Sequence, residues 1–342
     1  MSQQRARAAL RGEKTDYIPI MTMPAHKEYL AQYIGIDPVA DLQAALTKAV
    51  RDIDLDILAF SLPGAIAEDE DESNLFGLGG IDWRNEESGI DDIFNHDPSS
   101  YRNWQDVTVD DWIGRHTAHL ASLRQVAGEH AITTGSFFTT CFHYAAEDLN
   151  YEEFLINCML EEEQLVPFFD RCEAQSSKVL QAWAKTPGLE MMVCHDDIAN
   201  SRSLAINAPW LRRNIIPRYQ RLFAPFQGLD APLIFMSDGN YLDVAREIKD
   251  AGAKGFFIDP PCMTLADMVT ECGKDMIYIT GPTPDVVTNG TVNDVEDEIR
   301  MLCEQGKDLP RLLFIMPGDF AHNMPAANVD AFFKACRKHG KR

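Results

Sequence analysis

Short apolar runs recur along the chain, and several stop at Gly, Pro, Ser or Asp. IPIMTM (18–23), DILAFSL (56–62), AITTGSFF (131–138), LEMMVCHDD (189–197), PLIFMSD (232–238), KGFFID (254–259), MIYITG (276–281) and RLLFIMPG (311–318) each read as a strand. They are continuously apolar rather than alternating, the pattern of strands covered on both faces in a parallel sheet. Helical patterns lie between them, for example over 38–53, 151–185, 209–226, 241–252 and 292–307. Alternation of this kind predicts an α/β fold, a (β/α)8 TIM barrel, with an open doubly wound sheet as the alternative.

Residues 64–130 break the rhythm. They hold the acidic run EDEDE (68–72), the glycine-rich FGLGG (76–80) and no convincing strand. They read as an insertion after strand two of a single domain spanning 1–342. The acidic run reads as a solvated loop. No helix start follows the glycines, so a phosphate loop is not expected.

Composition narrows the partners. The 342 residues are 45% hydrophobic and 25% charged, as in an ordinary soluble enzyme. A formal net charge of -22 would repel nucleic acid rather than attract it. No apolar run approaches membrane-span length. The eight cysteines form no CxxC pair, and no signal peptide is read ahead of them, so reduced thiols and a cytoplasmic location are expected.

A barrel collects its chemistry where strands end and the following loops begin. The expected strand ends carry His26 and Met23 (strand one), Ser61 (two), His143 in the loop after three, and His195, Asp196 and Asp197 (four). Ser237, Asp238 and Asn240 end strand five, Asp259 and Cys262 strand six, and Asp319, His322 and Asn323 strand eight. Converging carboxylates and imidazoles shift one another's pKa values or hold a metal. Each residue also has a plainer reading. Asp238 or Asn240 could cap the helix that follows, His195 could be a hydrogen-bonded core histidine, and Cys262 could be packing filler. Phe137, Phe138, Phe142 and Tyr241 could line an apolar pocket or belong to the core.

HDDIANSRSLAINAPWLRRNIIPRYQRLF (195–223), with Pro209, Pro217 and Tyr219 in a P-x7-P-x-Y spacing, resembles a segment of the uroporphyrinogen decarboxylase superfamily. FMSDGNYLDVAREIKDAGAKGFFID (235–259) and the tail from 290 to 340, with Met324, Pro325 and Asn328, are similar to it as well. The resemblance runs over nearly the whole length and implies a (β/α)8 barrel. In the decarboxylases an arginine-rich loop after strand one grips the substrate carboxylates. The matching stretch here, TMPAHKEYLAQY (22–33), has no arginine. Ser61 stands where their second-strand Asp is expected, and His143 near their active-site Tyr. The thiol-directed methyltransferases of the superfamily hold zinc through His and Cys at positions that here read Met236, Asp238 and Asp319.

The resemblance therefore implies a corrinoid-dependent methyltransferase of O-demethylase type. It would move a methyl group from a small methylated compound, such as a methoxylated aromatic, to the cobalt of a cobalamin carried by a corrinoid protein. His195, Asp196, Asp197, Asp238 and Asn240 are the expected catalytic residues. His26, Ser61, Phe137, His143, Met236, Tyr241 and Asn323 are expected to bind substrate. Asp238, Cys262, Asp319 and His322 are the expected ligands for zinc or another divalent ion. A homodimer is a compatible assembly. The alternatives are a decarboxylase or lyase acting on a small carboxylated substrate, with Arg202, Arg212 and Arg213 as its nearest cations, and a non-catalytic binding barrel.

Overall fold

A computed structural model describes residues 2–60, 97, 104–138, 140–148, 151–316 and 323–342. Ser61, Asp319 and His322, the acidic run and the FGLGG segment lie outside the described residues.

Two compact units emerge. The first comprises Met1–Gly80, His119–Thr134 and Gly255–Arg342, and the second Ile81–Ala118 and Gly135–Lys254. In the first unit β1 (Ile20–Thr22), β2 (Ile57–Leu58), β3 (Ile132–Thr133), β7 (Gly255–Phe257), β8 (Ile277–Thr280) and β9 (Leu312–Ile315) run in the order β3-β2-β1-β9-β8-β7. In the second, β4 (Gly135–Phe137), β5 (Met192–His195) and β6 (Leu233–Met236) run in the order β6-β5-β4. The pairings are parallel, and strand neighbours follow chain order, as in a (β/α)8 barrel. The fold is of that α/β class. Every residue of β1, β2, β5 and β6 is buried, which explains their largely apolar character.

Each of the eight expected strands is present, and the third is split. AITTGSFF gives β3, paired with β2, and β4, paired with β5. The break falls at Thr134, whose hydroxyl accepts the Phe60 N–H at 3.1 Å. Gly135 follows because a Cβ there would lie 2.8 Å from both Trp183 and Leu189.

The described part of 64–130 holds no strand but does hold a helix, Val109–Ala127. Thr108 and Asp111 start it reciprocally: the Thr108 N–H donates to the Asp111 carboxylate (2.9 Å) and the Asp111 N–H to the Thr108 hydroxyl (3.1 Å). Other helices begin from local chemistry too. Asp41 accepts from Ala44 N–H, Asn207 from Trp210 N–H, and Thr291 forms a capping box with Asp294. The long pattern over 151–185 divides into Tyr151–Leu160 and Glu162–Lys185. The one over 209–226 breaks at Ile215, two residues before Pro217.

The cysteines are all free. Among the described residues no helix is long and apolar enough to cross a membrane.

Candidate functional site

β5 and β6 are parallel neighbours with His195 opposite Met236. Two residues beyond that pair the chains place Asp197 beside Asp238, and the Asp238 N–H donates to Asp197 Oδ1 at 2.9 Å. The register alone therefore brings together two carboxylates that are far apart in sequence.

Asp238 and Asn240 flank Gly239 in the loop after β6. The Asn240 side chain accepts the Leu242 N–H at 3.2 Å and shapes the turn that follows. Between them Gly239 has φ +78°, and a Cβ on it would lie 2.3 Å from the Asn200 carbonyl oxygen. That carbonyl also accepts the Asn240 N–H at 2.8 Å. Only glycine fits a backbone that approaches this closely in the left-handed region.

His195, Asp197 and Asp238 each offer one ligand atom within 4.8 Å of the others. His195 is buried, Asp197 half-buried and Asp238 exposed, so the group opens to solvent on one side. His195 Nδ1 lies 2.7 Å from the Phe138 carbonyl, which can only accept, so Nδ1 carries a proton. Nε2 then faces Asp197 Oδ1 at 3.1 Å. Burial alone would lower the imidazole pKa, but the hydrogen bond and charge of Asp197 outweigh it and raise the pKa to about 9. Burial would likewise raise the Asp197 pKa, and His195 outweighs it, lowering the carboxyl to about 2. His143 Nδ1 stands 3.6 Å from Asp197 Oδ2, an electrostatic contact too long for a hydrogen bond.

This arrangement fits a divalent ion. A histidine whose far nitrogen donates to a backbone carbonyl is held in the tautomer that ligates through Nε2. One nitrogen and two carboxylate oxygens suit zinc or manganese rather than a thiol-selective metal. Ligand atoms around a tetrahedral zinc lie about 3.3–3.6 Å apart, so the three groups would draw in slightly and leave the solvent side open. His195, Asp197 and Asp238 would hold the ion.

Asp196 faces the other way. It is wholly buried, with the Phe142 N–H donating at 3.0 Å, the His143 N–H at 2.6 Å and the Tyr219 hydroxyl at 2.6 Å. Burial pushes its pKa up, against those donors. Its oxygens are committed to the turn after β4, and the effect is to place His143 beside Asp197.

Met236 is the register partner of His195, and the other expected residues have the following surroundings. His26 is buried with both ring nitrogens engaged, Nδ1 accepting the Tyr29 N–H at 3.1 Å and Nε2 donating to the Met324 carbonyl at 3.0 Å. Tyr241 is wholly buried edge-on to Phe235, and Phe137 is buried beside Trp104. Met236 is buried at the end of β6. Cys262 is half-buried, and it is not in the metal-capable group found among the described residues. Asn323 is exposed.

Sequence reasoning overlooked three contributors. Tyr219, which holds Asp196, was visible only as the last letter of the P-x7-P-x-Y spacing. The Phe138 carbonyl leaves no trace in side-chain patterns, although the Phe138 ring also packs 5.4 Å from that of His195. Tyr151 is half-exposed at the start of its helix, and its phenol pKa is raised by burial and then by the charge of Asp197.

Among solved structures, a methyltransferase from Methanosarcina mazei aligns over 98% of this chain and 98% of its own, at 13% identity and a TM-score of 0.66. At that identity the likeness concerns the fold. A xylose isomerase-like TIM barrel protein from Mycobacterium smegmatis aligns over 94% of this chain and 97% of its own at 12% identity, with a TM-score of 0.39. No curated protein sequence matches. Residues 90–339, most of the chain, match the uroporphyrinogen decarboxylase (URO-D) family, and the chain belongs to that family.

Proposed function

We propose that this protein is a methyltransferase that takes a methyl group from a small methoxylated aromatic and delivers it to the cobalt of a corrinoid protein. The observation that carries the reading is the His195, Asp197 and Asp238 group at the ends of β5 and β6, where a URO-D barrel keeps its chemistry. The substrate's methyl–oxygen bond breaks as the carbon–cobalt bond forms, and the oxygen leaves as a phenolate that must be stabilised. His195, protonated on both nitrogens by its contacts with Phe138 and Asp197, can deliver a proton to that oxygen. A divalent ion held by the same three residues would supply Lewis acidity there instead. Phe138, whose ring packs 5.4 Å from that of His195 and is not fully buried, offers a face against which an aromatic ring can stack. Hard oxygen ligands at Asp197 and Asp238 suit an oxygen leaving group better than a thiol. A single barrel carrying 64–130 as an insertion is part of the same reading.

Two measurements test it. Protein purified without chelator is analysed for zinc and other divalent ions, and transfer to cob(I)alamin is followed by absorbance over a panel of methoxylated aromatics. Transfer that vanishes in His195→Ala supports the reading. Inertness towards the whole panel, with and without added divalent ions and the corrinoid protein, refutes it.

One observation favours a second reading, decarboxylation of a small carboxylate: the His195 imidazolium could reprotonate a carbanion. The cations that such a substrate needs are largely taken, however, since Arg212 pairs with Glu247 and Arg213 with Glu162. Carbon dioxide release from carboxylated analogues of the same panel separates the two.

A further inference from the structure

A cavity of about 430 Å³ lies at the N-terminal ends of β1 and β9, walled by Ile18 just before β1 and Pro310 just before β9. The chain as a whole has 53 acidic and 31 basic residues, yet this cavity gathers Lys14, Lys307, Lys341, Arg342 and His339 against Asp308. His339 is already matched, its Nε2 lying 2.9 Å from Glu296. Among the described residues, Lys14, Lys307, Lys341 and Arg342 have no carboxylate within ion-pairing distance.

Arg342 is the distinctive member. Its backbone N–H donates to the Asp16 carbonyl at 2.9 Å and its Nη2 to the Leu309 carbonyl at 2.6 Å, which fixes the guanidinium. Its Nε is buried with no hydrogen-bond partner. Burial pushes the Arg342 pKa down. Cys303, on the cavity wall, has its thiol raised to about 11 by burial, so it stays neutral and does not repel an anion.

We infer that this cavity is a binding site for a small phosphate ester, with Arg342 holding the phosphate and Lys14, Lys307 and Lys341 closing around it. A fixed guanidinium presents parallel donors to a tetrahedral oxyanion, and mobile lysines add charge without geometric demand. The volume exceeds that of a bare phosphate and lies in the range of small-ligand sites, and Ile18 and Pro310 offer apolar wall for the ester's carbon part. The site is independent of the methyl-transfer reading, since none of its residues belongs to the His195 group.

Isothermal titration of the full chain in phosphate-free buffer tests it, with glycerol 3-phosphate, inorganic phosphate and citrate as probes at matched ionic strength. Glycerol 3-phosphate is expected to bind at one site, more tightly than the other two, and to raise the thermal midpoint. Arg342→Gln should weaken it roughly tenfold or more. If that variant proves unstable, Lys307→Gln with Lys341→Gln changes only exposed side chains and should still weaken binding, whereas Arg213→Gln should not. Absence of binding by all three probes, or binding indifferent to both sets of substitutions, overturns the site. Tighter binding of inorganic phosphate overturns the ester assignment, and tighter binding of citrate overturns phosphate as the ligand class.

Discussion

Two clusters of charge, both at strand ends, are wired in opposite ways. In the first unit Asp56, wholly buried just before β2, has every side of its carboxylate occupied. Arg5 donates at 2.6 Å, Arg337 at 2.9 Å and the Ile20 N–H at 2.8 Å. Arg5 also reaches Asp16 and Asp54, tying the N-terminal helix Ser2–Arg11 to the strand ends. In the second unit Asp197 and Asp238 stand at the C-terminal ends of β5 and β6 with one buried histidine between two carboxylates and an open side. Charges at the first cluster are committed to one another, so removing one partner leaves another buried and uncompensated. At the second they are held in place but left able to take a proton, an ion or a substrate.

Substitutions can break or sharpen that contrast. Asp56→Ala leaves Arg5 and Arg337 without their shared partner and should cost about 3–5 kcal/mol in urea unfolding, with unchanged turnover per folded molecule. A loss of turnover without a loss of stability would erase the distinction. His195→Ala is the converse: methyl transfer should fall by about 10²–10⁴-fold while the urea midpoint moves much less than for Asp56→Ala.

Gly239→Ala, which meets the Asn200 backbone in the left-handed region, should destabilise by at least about 2 kcal/mol and weaken metal uptake by shifting Asp238. Tyr219→Phe removes one donor from buried Asp196 and should cost about 1–2 kcal/mol. If Asp196 acts through His143, kcat should also fall, and Tyr219→Phe should change the His143 imidazole resonances.

A different kind of effect is one of pH. In chelator-treated protein the folded pKa of His195 is raised to about 9 from 6.5. Its pairing with Asp197 therefore contributes stability that is fully present below about pH 6.5 and lost as pH rises through about 9. NMR titration of the imidazole checks this. A divalent ion must displace the Nε2 proton, so metal uptake at pH 7 should release about one proton and abolish that titration.

Much of the framework could be read from the chain. The eight apolar runs are the strands because a parallel strand buried on both faces has no polar positions to alternate with. Among the described residues, the polar letters after two of them, β5 and β6, supply the candidate metal-capable group, because a buried strand ends where its backbone meets solvent or a loop. Capping was less readable. Asp238 and Asn240 are equally good caps by type, yet the residues at the N-caps that follow are Tyr241 and Val244, and Asn240 only shapes the turn before them. Helix Val109–Ala127 was overlooked because it interrupts no strand pattern, although Thr108 and Asp111 form its start signal.

Residue type and order thus determine the α/β alternation, the strand ends and the supply of carboxylates and imidazoles. Tertiary structure decides what those groups do. Asp196 and Asp197 are adjacent and chemically identical, yet one turns inward to Phe142, His143 and Tyr219 and the other outward to His195 and Asp238. Local sequence cannot distinguish them, because the difference comes from partners at least 23 residues away for Asp196 and from the β5–β6 register for Asp197.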